Sequence, residues 1–418
     1  MYIMSDVSLI DLLKKMGLSK IDLSEKVAII TGAGRGIGKE LARALAWLGA
    51  TVVIAEISDT GKDVEKLIRS EGGETLFIKT DVSNEDSMNQ LAEKVFQEYG
   101  KVDILINNAI IFSFGSILEQ PLQNWDKIFK VNLKGAVIGI KLFLPGMLER
   151  KFGVIATITS DEGTAYIAPY SASKAALQSL GFSLAGEIDD DTGVSIFVFG
   201  PGMVDTPGGN EAFSKLAPLY NMTLKEFIKL GSVGGFDGLM PVEYSAAGFA
   251  YTIVHAKEYH GQTADPFRPL GKFGLLPHPS DSETPKSISD ESLNLVINAA
   301  LEAKQVLEDI NKETEELNFF AKKWVKKIYT KRTSLSIQDW LDALNQLINQ
   351  LHQKEFKEFF NTLSWLNSNL IKLEDHFEKS KEDAKGYIKD PEKLEEAMKA
   401  LENRKKTVQS LIQSLKSI

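Results

Sequence analysis

Of the ten tyrosines in this 418-residue chain, Tyr170 alone has a lysine four positions on, Lys174, within YSASK. On a helix that spacing sets both side chains on one face. A phenol with its ordinary pKa near 10 is a poor proton shuttle at neutral pH, and bringing it near 7 takes roughly 4 kcal/mol of preference for the phenolate. An ammonium within about 4–6 Å, in a partly dry cleft, supplies a preference of that kind. Tyr170 would then give a proton to a carbonyl oxygen, or take one from an alcohol.

A second cluster is TGAGRGIG, Thr31 to Gly38. Glycines there let the backbone approach a pyrophosphate that side chains would hold off, and the helix start beyond offers free N–H groups and the positive end of its dipole. Such a motif is weak alone; its place between a strand and a helix gives it weight over a tight turn without a ligand. Glu56 ends the next strand, about 20 residues on, where a carboxylate accepts both ribose hydroxyls and repels a 2′-phosphate. Arg35 argues the other way, as a cation for that phosphate. The carboxylate outweighs it, because repulsion at close range is harder to evade than an idle cation. NAD is therefore expected, with NADP the other possibility. His255, His260 and His278 show no metal-ligand spacing with carboxylates, so no metal is expected.

These residues need a scaffold. Val27–Thr31, Thr51–Ile57, Leu76–Lys79, Ile104–Asn107, Val154–Thr159 and Val194–Phe199 read as strands, apolar almost throughout, as in a parallel sheet covered on both faces. Helical patterns such as Gly36–Leu48, Ser83–Tyr99 and Ser171–Ile188 lie between them. Alternation of this kind predicts an α/β, doubly wound parallel sheet, in which YSASK begins the helix after the fifth strand, beside the ligand crevice.

Further motifs join the two clusters in a fixed order: Asp81-Val82, NNA at Asn107–Ala109, Asn132, Ser160, and Pro201-Gly202 leading to Thr206. From about Lys26 to Gly274 the chain resembles the short-chain dehydrogenase/reductase family. The resemblance implies a Rossmann-type fold and a catalytic set of Asn132, Ser160, Tyr170 and Lys174. Ser160 would polarise the substrate oxygen, Tyr170 would act as acid/base, Lys174 would bind the nicotinamide ribose and tune Tyr170, and Asn132 would hold a water in a proton relay. Thr31, Gly32, Arg35, Gly36, Ile37 and Gly38 would grip the dinucleotide, with Glu56 at its ribose. Asp81 and Val82 would contact the adenine, and Asn107 and Ala109 the adjoining ribose region. Pro201, Gly202, Val204 and Thr206 would flank the nicotinamide. Three features depart from the family pattern. Ser160 stands 10 positions before Tyr170, where about 13 is usual. Thr157 falls at the usual distance but inside a strand, so Ser160 after a shortened loop is preferred. Ile110 replaces the glycine of NNAG, where it would crowd the cleft, and a long C-terminal extension is foreign to the short form.

Around this domain, assigned to residues 25–276, residues 1–24 carry an amphipathic helix over Ser8–Leu18. Residues 207–240 lie where the resembled family carries its substrate lid, which the resemblance therefore implies here; they bear the apolar stripe Phe213, Leu216, Leu219, Tyr220, Met222 and Phe227, and possible hinges at Gly231, Gly234, Gly235 and Gly238. The stripe hints at an apolar alcohol or ketone. A polar linker, 277–288, leads to 289–418, where glycine and proline almost vanish. Heptad-spaced residues run from Leu293 to Ile328, from Ile337 to Phe377 and from Leu394 to Leu415, with a Ser336/Asp339 cap and Asp390-Pro391 opening the last helix. An antiparallel helical bundle or coiled coil is expected, serving internal packing or homo-oligomer formation rather than a specific partner site.

Bulk properties bound the function. The net charge of −9 argues against nucleic-acid binding. No cysteine is present, so disulfides, thiolate metal sites and cysteine nucleophiles are excluded. There is no secretory pattern at the start and no run of about 18 uninterrupted apolar residues, so a cytoplasmic protein acting on a small molecule, away from membranes, is expected. Alternatives remain open: an NADPH-linked 3-oxoacyl-thioester reductase, or a cofactor-binding scaffold of weak or no turnover whose bundle recruits partners.

Overall fold

The computed structural model describes residues 8–160, 163–230, 236, 238–277, 290–316, 325, 329, 333, 336–352, 370, 373–385 and 390–416. Its contacts divide the chain into two compact units, Met1–Leu275 and Leu276–Ile418.

The first unit begins with α1 (Leu9–Lys15), capped by the Ser8 hydroxyl, which buries Leu9, Leu12 and Leu13. Strand and helix then alternate through β1 (Val27–Thr31), α2 (Gly36–Trp47), β2 (Thr51–Glu56), α3 (Thr60–Ser70), β3 (Thr75–Lys79), α4 (Glu85–Tyr99) and β4 (Ile104–Asn107). Next come α5 (Leu122–Ile128), a π-helical turn (Phe129–Lys134), α6 (Gly135–Arg150), β5 (Gly153–Ile158), α7 (Ala168–Glu187) and β6 (Val194–Phe199). The unit closes with β7 (Val204–Asp205), α8 (Pro207–Leu219), α9 (Leu224–Leu230), β8 (Met240–Pro241), α10 (Val242–Val254), β9 (Thr263–Ala264) and α11 (Phe267–Lys272).

Seven strands form one parallel sheet in the order β3-β2-β1-β4-β5-β6-β9. The order reverses between β1 and β4, so the crevice for a ligand opens beyond their carboxyl ends. All of β1, β4 and β5 is buried, because helices cover both faces. Val27, Ile29, Val53, Leu105 and Ile155 alternate into a core with Met88 and Leu91 of α4 and Phe143 and Met147 of α6. On the other face α2 packs against α10, and α1 lies against both. Leu122–Arg150 is long and apolar enough, by length and composition alone, to cross a bilayer, yet its Ala136, Ile138, Phe143 and Met147 are buried in this unit.

Several boundaries differ from the sequence pattern. β2 stops at Glu56, leaving Ile57 exposed, and β5 runs Gly153–Ile158, one residue earlier than the apolar run. α4 starts at Glu85 because the Asn84 side chain accepts from the Ser87 N–H. α7 starts at Ala168 rather than Ser171, with Pro169 in its first turn, so Tyr170 sits inside the helix and does not open it. β7, β8 and β9 are two residues each and carry no readable period. β7 and β8 pair with each other, Val204 with Met240, which ties together the two ends of the 207–240 segment. Of its glycines, Gly238 has φ +116°, while Gly231, Gly234 and Gly235 lie outside the described residues.

The second unit contains the helices Asp290–Glu315, Ile337–His352, 373–385 and Pro391–Lys416. Val296, Ala300, Ala303, Leu307 and Ile310 are buried with Leu341, Leu344, Ile348, Leu351, Leu373 and Phe377, and with Val408, Leu411 and Leu415. The heptad stripes read from the sequence face one core at these positions, whereas Leu394 and Ala397 are half-buried and outside it; Leu317, Ala321, Trp324, Ile328 and 356–366 lie outside the described residues. Ser336 and Asp339 bond reciprocally, Ser336 Oγ accepting from the Asp339 N–H at 3.1 Å and Asp339 Oδ2 from the Ser336 N–H at 2.9 Å. Asp390 Oδ1 accepts from the N–H groups of Glu392 and Lys393.

Candidate active site

β1 runs into the glycine loop through Thr31, whose Oγ1 accepts from the Asn108 N–H at 3.0 Å and the Ala109 N–H at 3.1 Å. In return, Asn108 Nδ2 donates to the carbonyls of Thr31 (2.7 Å) and Gly32 (2.9 Å). The end of β4 therefore braces the loop after β1. Gly32 has φ +66°, and a Cβ there would lie 2.8 Å from Ala109 Cα. A Cβ on Gly38 would meet Asn108 Nδ2 at 2.5 Å. Both glycines are required by this close approach. The α2 N-terminus has Arg35 at its cap with no side-chain hydrogen bond and no acidic residue in the first turn, so the N–H groups from Gly36 and Ile37 onward keep their capacity for an anion.

Glu56 faces this loop. Its Oε2 accepts from the Gly34 N–H at 3.0 Å, and its Oε1 accepts from the Ser58 N–H and hydroxyl, each at 3.0 Å. Arg35 is exposed, and a Cβ on Gly208 would stand 3.9 Å from its Nη2. Thr206 lies above the loop, its Cβ 3.4 Å from where a Cβ on Gly36 would be, and its Oγ1 caps α8 by accepting from the Gly209 N–H. Val204 is buried in β7, and Gly202 turns the chain at φ +76°, while the Pro201 carbonyl accepts from Ser245 Oγ. Asp81 Oδ1 accepts from the Ser83 N–H and hydroxyl, and Val82 packs where a Cβ on Gly135 would lie.

The second cluster sits at the carboxyl end of β5. Lys174 is buried, and its Nζ donates to the Ile158 carbonyl at 2.5 Å. The same Nζ lies 5.6 Å from the centre of the Tyr170 ring. Burial pushes its pKa from 10.5 down to about 7. Ser160 follows β5 two residues beyond Ile158, half-buried, whereas Thr157 is buried in the strand, where its Oγ1 accepts from Asn107 Nδ2 at 3.2 Å. Thr157 is thus committed to holding Asn107. Asp161 and Glu162, which follow Ser160 in the chain, lie outside the described residues.

Asn132 is buried in the π-helical turn. Its Oδ1 accepts from the Ile111 N–H (2.9 Å), and its Nδ2 donates to the Ile111 carbonyl (3.2 Å) and to Ser173 Oγ (3.0 Å). Ser173 in turn donates to the Tyr170 carbonyl at 2.7 Å. A cavity of about 10 Å³, room for one water, lies among Thr31, Asn107, Asn132 and Lys174. Ile110, expected to crowd the cleft, is 36% exposed. Three residues outside the sequence-derived set matter here: Asn108 as brace, Ser173 as the link between Asn132 and α7, and Phe112, whose ring stacks on Tyr170 at 4.2 Å. Asn108 was signalled by the NNA motif and Ser173 by YSASK; Phe112 had no motif.

A glycine loop at the switch point of a seven-stranded parallel sheet, with a buried lysine beside a tyrosine across the crevice, defines a dinucleotide-dependent oxidoreductase. The chain belongs to the short-chain dehydrogenase family. The family model described as short chain dehydrogenase matches residues 26–217. An uncharacterized oxidoreductase of Thermotoga maritima is 38% identical over 188 residues, spanning 44% of this chain and 73% of that one. Among solved structures, actinorhodin polyketide ketoreductase with NADPH is similar at 28% identity and TM-score 0.54, covering 58% of this chain and 96% of that one. A putative NAD(P) dependent gluconate 5-dehydrogenase from Beutenbergia cavernae, with bound NADP, matches at 28% identity and TM-score 0.52 over the same shares. The family binds NAD(P), and the uncapped α2 terminus, the glycine approach and the Glu56 carboxylate fit such a dinucleotide.

Proposed function

We propose that this protein interconverts a secondary alcohol and a ketone, using NAD, with Tyr170 as the acid/base. The observation that carries the reading is the buried Lys174, its Nζ 5.6 Å from the Tyr170 ring and its pKa brought to about 7. A phenolate forming beside that lysine would favour its ammonium form, and the ammonium would in turn stabilise the phenolate. Bound at the glycine loop, the dinucleotide supplies the hydride acceptor or donor. Tyr170 removes the hydroxyl proton as the alcohol loses its hydride, and returns it in the reverse direction. Ser160 orients the substrate oxygen. Asn132 and Lys174 face the one-water cavity, which supports a relay carrying the proton away from Tyr170.

For the dinucleotide, Glu56 supports NAD, because Gly34 and Ser58 fix its carboxylate where a 2′-phosphate would come. The NADP and NADPH in the two similar structures favour the other reading, in which Arg35 takes that phosphate. Mixing the protein with NAD and a panel of secondary alcohols, while following absorbance of the reduced dinucleotide, tests the first claim. Turnover should appear and fall about a thousandfold or more in Tyr170→Phe, as loss of a positioned proton donor predicts. Dinucleotide binding without turnover in either direction would leave the scaffold reading instead. For the second claim, Glu56→Ala should narrow the preference for NAD over NADP by about tenfold, and a wild type preferring NADP would reverse the assignment.

A further inference from the structure

A cavity of about 160 Å³ lies in the first unit at the amino ends of β1, β2 and β3, at the opposite edge of the sheet from the glycine loop and Tyr170. Lys20, Gly49 and Gly72, which line it, fall in the segments leading into those three strands. α1 walls one side with Leu9 and Ile10, the end of α2 a second with Ala46 and Trp47, and α3 a third with Ile68. Gly72 and Gly73 carry the chain past this space without a side chain. Gly72 has φ +83°, and a Cβ on it would meet nothing within 4 Å, while a Cβ on Gly73 would press on Ile68 and Ala46 at 2.8 and 2.9 Å. An apolar cavity of about 150 Å³ is known to hold a benzene ring, so this space has room for one ring or a short chain.

Charge at the mouth is one-sided. Arg43 Nε donates to both carboxylate oxygens of Glu71, at 3.1 and 3.0 Å, and its Nη1 donates to Glu40 Oε2 at 2.5 Å. Lys39 Nζ lies 3.5 Å from Glu40 Oε1, so two cations answer these two carboxylates. Asp22 is taken up by Ser19, whose N–H and hydroxyl donate to its two oxygens at 2.8 and 2.7 Å. Lys20 is exposed, lines the cavity and makes no ion pair among the described residues. An apolar body entering here leaves water for the walls, and the Trp47 indole favours a flat one. An anion on that body meets the Lys20 ammonium at the rim, where neither charge has to be stripped of solvent. A cationic ligand meets an unmatched like charge instead.

We infer that this cavity is a second ligand site, taking a small monocarboxylate with a single-ring or short-chain apolar body, its carboxylate on Lys20 and its body against Trp47, Ile10 and Ile68. The site does not depend on the reaction at Tyr170. The full chain, its dinucleotide groove saturated with NADH, is titrated calorimetrically with benzoate, acetate, benzyl alcohol and benzylamine. Benzoate should bind with a Kd of about 1 mM or below. That is at least about tenfold tighter than acetate, which lacks the body, or benzylamine, which reverses the charge. Lys20→Met should weaken benzoate about three- to fivefold and leave benzyl alcohol unchanged. Trp47→Ala should weaken both roughly three- to tenfold, Trp47→Phe should restore most of the loss, and an NADH affinity within about twofold in each variant shows that the fold is kept. Benzoate that fails to bind below about 10 mM, or binds no tighter than acetate, overturns the inference. So does benzyl alcohol binding as tightly as benzoate, or benzoate indifferent to Lys20→Met. A benzoate Kd that moves with Tyr170→Phe would put the acid at the active site, and overturns it too.

Discussion

Lys174 does its work at a cost that pH reveals. Its pKa lies at about 7 in the folded chain because burial penalises the ammonium, against 10.5 in the unfolded one. Between these values the unfolded chain holds a proton that the folded chain has released, so stability rises with pH across that window, and below about 7 the cost is fully present. Lys174→Met removes the titration along with the bond to the Ile158 carbonyl. Without dinucleotide, wild type should therefore gain about 2–3 kcal/mol on the variant between pH 7 and pH 9.5, read from urea midpoints. A gap constant with pH would show that the amine is not desolvated as the structure indicates. Candidate residues like this were the most legible in the sequence, because Tyr170, Lys174, Glu56 and the glycines are marked by residue type and spacing. Phe112 was not, since an apolar residue in a loop looks the same whether it lines a site or fills a core.

At the scale of elements, the carboxyl ends of β1 and β4 are coupled through Asn108, which bridges the carbonyls of Thr31 and Gly32. Asn108→Ala leaves those carbonyls without their partner and frees the loop that must be in place before a pyrophosphate arrives. A tenfold rise in the dinucleotide Kd is expected, about 1.4 kcal/mol, measurable by calorimetry. An unchanged Kd would mean that the backbone bonds to Thr31 Oγ1 and the bond from Gly34 to Glu56 hold the loop without the carboxamide. The long strands were legible because full burial writes a continuous apolar run, and α2 because its glycine start is chemical. Three things left no local trace. The two-residue strands β7, β8 and β9 are too short to show a period; the π-helical turn at Asn132 depends on what its carboxamide finds at Ile111 and Ser173; and the start of α7 was displaced by Pro169, whose fixed φ suits a first turn.

Across the whole molecule, the two units hold separate buried clusters, one built on the sheet and one on the helices after Asp290. The change from alternating to heptad patterning made the sheet and the helices that follow it legible in the sequence. The family match covers residues 26–217, and the helical unit buries an apolar stripe of its own. Leu347 is fully buried in that stripe. Leu347→Ala should cost about 2–5 kcal/mol, the usual price of a cavity in a packed core. In scanning calorimetry the loss should appear in one transition, while dinucleotide at a hundred times its Kd should add about 2.7 kcal/mol to the other. If the substitution and the ligand instead moved a single shared transition, the helices would have to be counted as part of the dehydrogenase fold.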